Sequence, residues 1–156
     1  MLKKYLPLIA LLIAASMVAA QCGASSAATS SGPQIKVMEP WARPSPIVSG
    51  NGAVYMQLMN EGGSDDILLS AETDVAEVVE LHETKMDGDV MMMSQVPNVK
   101  VPAGDSAMLE PGGLHLMLIK LKQELVPGEK ITLTLNFEKS GSMTTEVEIR
   151  EMGADQ

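Results

Sequence analysis

The chain has 156 residues, with 11 basic against 20 acidic side chains and a formal net charge of −9. That length suits one domain better than two, and the acidic balance argues against nucleic acid, which needs a basic face, and against an anionic lipid surface. Cys22 is the single cysteine, so the folded part has no disulfide and no thiolate ligand.

The first twenty residues, "MLKKYLPLIALLIAASMVAA", place two lysines before an apolar run and then small residues. This is the layout of an export signal, and the run is short for a membrane span. Two cleavage points fit. Val18 and Ala20 suit an ordinary cut before Gln21. Cys22 stands where a lipoprotein carries its lipidated cysteine, although Gln21 occupies a position where a small residue is expected. Residues 21–34, rich in Ser, Ala and Gly, read as a flexible linker. Removing Lys3 and Lys4 with the signal changes the charge from −9 to −11. Either cut puts the domain, residues 35–152, outside the cytoplasm.

From Ile35 onward, short apolar runs are broken by Gly, Pro, Asn and Asp. "IKV" leads into "PWARPSP", whose prolines forbid a helix. "GAVYMQLMN" (52–60) alternates as a strand and "EGGSDD" closes it. "ILLS" is a short strand. "AEVVELHET" (76–84) has a β-branched centre and an Asp-Gly after it, which favour a strand. "VMMMSQV", "VKV" and "SAMLEPGG" follow. "LHLMLIKL" (114–121) is apolar on both faces and reads as a central strand covered on both sides. "KITLTLNF" (130–137) and "TTEVEIR" (144–150) alternate polar with apolar, as half-buried strands do. No stretch carries a helical period, so the pattern predicts an all-β sandwich or barrel. Eleven of the 13 methionines lie outside the signal, beside one Trp and one Phe; most of them are expected to fill core volume that aromatics would otherwise occupy.

Two segments carry the candidate chemistry. In "HETKMDGDVMMM" (82–93), Asp87-Gly88 is the preferred centre of a two-residue hairpin turn. That register sets Met86 opposite Asp89, Thr84 opposite Met91 and His82 opposite Met93. Parity puts Met91 on the same face and Met92 on the other. In "HLM", His115 and Met117 share one face of their strand and Leu116 points away. If the faces converge, two imidazoles and two thioethers meet. Thioether is soft and uncharged, so this set selects Cu(I). Zinc prefers thiolate or carboxylate beside histidine, and calcium and magnesium prefer oxygen. A structural histidine and a core methionine run are the competing reading, which leaves a metal-free structural or adhesive β-sandwich lipoprotein as the alternative.

The chain resembles the periplasmic copper-chaperone family written PCuAC. That family's signature is a histidine, ten residues, a methionine, twenty-one residues and His-x-Met, and His82, Met93, His115 and Met117 match it without a gap. "PWARPSP", "GAVYMQLMN", "DDILL", "VELHET", "VPAGDSAMLEPGGLHLMLIKLKQEL" and "TLTLNFE" also look like its blocks, in order, over about residues 35–150. The resemblance implies a cupredoxin-like β-sandwich (a Greek-key barrel) and one Cu(I) held by His82, Met93, His115 and Met117, with Met93 preferred to Met91. It implies a carrier rather than an enzyme, with the dinuclear copper site of cytochrome c oxidase subunit II as destination, directly or through a Sco-type thiol protein. The terminal "EMGADQ" does not match the His- and Met-rich tail that some members use for a second copper. A blue-copper electron-transfer site would need a cysteine beside its histidines, and Cys22 lies far from them. Asp65, Asp66, Asp87 and Asp89 read as turn residues, not as an acid/base pair.

Overall fold

The computed structural model describes residues 32–48 and 50–151; the predicted export signal, Cys22 and most of the predicted linker lie outside the described residues. The described residues form ten strands and no helix. In chain order they are β1 (Ile35–Ala42), β2 (Gly52–Asn60), β3 (Asp66–Glu72), β4 (Ala76–Asp87) and β5 (Val90–Gln95), then β6 (Val99–Val101), β7 (Ser106–Leu109), β8 (Leu114–Leu121), β9 (Lys130–Phe137) and β10 (Gly141–Ile149). They make one open sheet in the order β5-β4-β8-β7-β2-β1-β10-β9-β3-β6, with β8 also paired to β2. The sheet folds over on itself, because β3 packs on β4 and β6 on β2 without being ladder neighbours. One core fills the space between.

Leucine, not methionine, builds that core. Leu58, Leu68, Leu116, Leu118, Leu133 and Leu135 are fully buried, each contributing about 1.5–3 kcal/mol of transfer free energy. Among the described methionines only Met56 is a core residue, while Met38, Met86, Met91, Met92, Met93 and Met108 are exposed. The expectation that most methionines replace aromatic volume therefore fails. Leucines on alternate positions of β8 and β9 already fill the interior, so thioethers are left to the surface.

β2 and β9 fall where the alternation placed them. β3 and β10 start before the predicted segments, at Asp66 and Gly141, because polar residues also complete ladder bonds. β1 runs on through Pro40. Its register to β2 jumps between Met38↔Gln57 and Trp41↔Tyr55, so one extra residue bulges out where proline has no N–H to give. β8 is central, yet it is covered on both sides only in part: Leu116 and Leu118 are buried on the core face, whereas Met117 and Ile119 are half-buried on the other.

Asp66 is not a turn residue. It opens β3 fully buried, and its carboxylate accepts hydrogen bonds from the backbone N–H groups of Ile67 (2.8 Å), Lys139 (2.9 Å) and Ser140 (3.0 Å) and from the Ser140 hydroxyl (2.5 Å). Nearby Asn60 is equally buried. Its Oδ1 accepts from the N–H of Gln34 and Gly62, and its Nδ2 donates to Ser64 and Val101 carbonyls. Gly62 is required there, since a Cβ would collide with the backbone of Gly32, Pro33 and Gln34.

The β4–β5 hairpin is shifted by two residues from its expected register. Asp87 pairs with Val90, Met86 with Met91, Thr84 with Met93 and His82 with Gln95. The turn is centred on Gly88-Asp89 rather than Asp87-Gly88. Gly88 has φ +63° and Asp89 is not among the residues with positive φ, the type II′ pattern with glycine first. A two-residue slide preserves which side chains share a face, whereas a one-residue slide would have inverted them.

Candidate metal centre

β4 and β8 are neighbours, and their register sets His82 directly opposite His115. The preceding pair on β4, Leu81↔Leu116, points into the core. His82 and His115 therefore lie on the sheet face turned away from the core. Met117 shares that face, opposite Glu80 on β4 and Ala53 on β2. Met93 reaches it from the edge strand, opposite Thr84 and so diagonal to His82. A cavity of about 500 Å³ opens there, lined by His115, Met117, Met93 and Met91 together with Tyr55 and Arg43. Three of the four expected ligands line this cavity. His82 is not among its lining residues, but its ring centroid lies 5.9 Å from that of His115.

The hydrogen bonds fix which ring nitrogens are available. His82 Nε2 donates to the Glu80 carboxylate at 2.8 Å, which leaves Nδ1 with the lone pair. That Nδ1 is buried and has no hydrogen-bond partner. An orphaned buried acceptor costs about 1–3 kcal/mol unless something satisfies it. His115 Nδ1 donates to the Gly113 carbonyl at 3.0 Å and leaves Nε2 for a ligand. Outer partners of this kind hold metal-binding histidines in one tautomer and orientation. Tyr55 packs on His115 at 6.2 Å between ring centroids and on Trp41 at 4.6 Å, closing the inner wall of the cavity.

The donors suit a soft cation. Among the described residues, no three His, Cys, Asp or Glu side chains converge, so a zinc- or calcium-type set is lacking. Two imidazoles beside two thioethers remain, neutral donors that fit Cu(I). Access is graded. His115 is only 5% exposed, His82 and Met117 are half-buried, and Met93 is 52% exposed at the rim. The sequence reading overlooked Glu80, although its spacing from His82 puts it on the same strand face. It also overlooked Tyr55, which nothing local to β2 connects to the histidines.

A family model described as LpqE-like ("Putative lipoprotein LpqE-like") matches residues 35–149. The "Putative lipoprotein Lxx21020" of Leifsonia xyli subsp. xyli is 31% identical over 78% of this chain and 74% of that protein. Among solved structures, the copper-bound PCuAC domain from PmoF2 superposes with a TM-score of 0.65 at 21% identity, covering 77% of this chain and 98% of that one. The solution structure of CuI-DR1885 from Deinococcus radiodurans superposes with a TM-score of 0.56 at 27% identity, covering 75% of this chain and 80% of that one. The described domain thus has the cupredoxin-like architecture of the PCuAC domains.

Proposed function

Because the chain belongs to the LpqE-like family, which is of the PCuAC type, we propose that it is an extracytoplasmic copper chaperone. It takes up one Cu(I) through His82 Nδ1, Met93, His115 Nε2 and Met117, and releases it by ligand exchange. The observation that carries this reading is the unpartnered, buried Nδ1 of His82 beside His115, on a face that also presents Met117 and Met93. The 27% identical DR1885, whose solved form holds Cu(I), supports the choice of ion.

The gradient of exposure suggests the order of release. Met93, at the rim, gives way first, and an incoming thiolate from the acceptor takes its position. His115, deepest and held by Gly113, lets go last. The donors are neutral, so the bound ion keeps one positive charge, which an acidic protein tolerates. The acceptor in this proposal is the dinuclear copper site of cytochrome c oxidase subunit II, or a Sco-type thiol protein that leads to it. A lipid on Cys22 would tether the carrier to the outer face of the cytoplasmic membrane.

Titration of the purified protein with Cu(I) against a competing chromophoric chelator tests the reading. Uptake of one tight equivalent is expected, falling as acid protonates the imidazoles. Absence of Cu(I) uptake would return the protein to the metal-free structural reading. Glu80 provides a second measurement in the same assay. Glu80→Ala frees the His82 ring to turn and to change tautomer, and is expected to weaken Cu(I) binding about 10-fold. An affinity equal to that of the unmodified protein would show that Glu80 does not orient the ligand.

A further inference from the structure

The methionine run reaches beyond Met93. Met91 is the direct cross-strand partner of Met86, next to the hairpin turn. Asp87↔Val90 closes a two-residue loop, so ladder alternation makes Met86↔Met91 a non-hydrogen-bonded pair, the more closely spaced kind. Their Cβ atoms are then ~4.5–5.5 Å apart on one face. Thr84↔Met93 is the next pair along that face, and Met91 lines the same cavity as Met93, His115 and Met117. Met86 is 62% exposed and Met91 68% exposed, so neither can be explained by core packing.

We propose that Met86 and Met91 form an outer Cu(I) site, a landing position from which the ion moves to the inner donors. This rests on the Cu(I) reading of the inner site. Two thioethers hold a soft monovalent ion weakly, as a transfer position requires. In the step inward, the bond from copper to the Met86 sulfur breaks as a bond to the Met93 sulfur forms while Met91 stays attached, and the bond to Met91 then breaks as the inner histidines and Met117 bind. Each thioether donates or takes back one lone pair, copper remains Cu(I), and no proton moves. Met91 and Met93 stand two residues apart on one strand face, ~6.5–7 Å along it, within reach of side chains this long and flexible. Met92 points to the opposite face and takes no part.

The test combines methyl-labelled methionine NMR with loading kinetics, using Cu(I) supplied as a chelator complex. In the unmodified protein, the first equivalent is expected to shift the Met93 and Met117 methyl resonances, and a second, weaker equivalent those of Met86 and Met91. Met86→Leu/Met91→Leu should keep the first equivalent's affinity, lose the second, and load about 10-fold more slowly, the size of a modest loss of transition-state stabilisation. Met92→Leu should load at the unmodified rate. The proposal is overturned if the double variant loads normally with its second equivalent intact, or if Met92→Leu is slowed equally. Failure of the unmodified protein to bind even the first equivalent would instead sink the chaperone reading beneath it.

Discussion

Replacing His82 and His115 together with alanine is expected to weaken Cu(I) binding by more than about 100-fold, beyond the usual effect of outer-shell groups. Both nitrogen donors are lost, and the two remaining thioethers hold copper poorly. The fold should survive. Both rings lie on the face away from the core, and the His82 ring brings a buried nitrogen with no partner, so its removal relieves one cost. His82 forfeits its hydrogen bond to Glu80, and His115 forfeits its hydrogen bond to Gly113 and its contact with Tyr55. Each hydrogen bond is worth about 1 kcal/mol. The thermal midpoint should fall by less than about 8 °C. Chelator competition and circular dichroism on the same sample separate the two effects. Retained affinity in the folded double variant would disprove the ligand set.

Asp66→Ala should do the reverse: destabilise strongly while the folded fraction still binds copper. The carboxylate receives four hydrogen bonds, three of them from backbone N–H groups of β3 and of the β9–β10 turn. Leaving such donors unpaired should cost about 3 kcal/mol. Burial by itself would raise the Asp66 carboxyl, but the bonds from Ser140, Lys139 and Ile67 outweigh it and hold the group below its ordinary value of 3.8. A carboxyl depressed in the folded state stabilises above its unfolded value. That stabilisation fades as pH falls below about 4 through the folded value. Urea unfolding near neutral pH and again near pH 3 should show a smaller drop for Asp66→Ala than for the unmodified protein. An equal acid sensitivity in the two proteins would place it on other groups. Asp65, next in sequence, is also held low, first by its bond with Lys100, but it is exposed and adds little.

Much of this was legible in the residues. Alternation in β9 and β2 predicted both strands, and in β9 it matches the buried positions, because a half-buried strand writes its faces directly into the chain. The sharing of one face by His82, Met91 and Met93 was legible for the same reason. The hairpin register was not, because Asp87-Gly88 and Gly88-Asp89 are both acceptable turn centres; the ladder, with Asp87 opposite Val90 and no positive φ at Asp87, settles on the second. Long-range facts were also hidden. Neither the pairing of His82 with His115 nor the covering of His115 by Tyr55 follows from any local pattern, since β4, β8 and β2 are joined only by the topology. Asp66 misled the reading because an Asp-Asp pair after "GGS" looks like a solvated turn. Its burial depends on donors seventy-odd residues away, at Lys139 and Ser140.

The division of the sheet into a leucine face and a donor face has a consequence for how such a protein can change. On β4 and β8, selection acting on the outward face and selection acting on folding fall on alternate positions, and β5 carries no core residue at all. In the proposed copper site, exchanging sulfur for nitrogen or oxygen donors at Met93 or Met117 would retune metal selectivity on a scaffold whose thermodynamic margin resides on the opposite side. The price of trying a new specificity is therefore small.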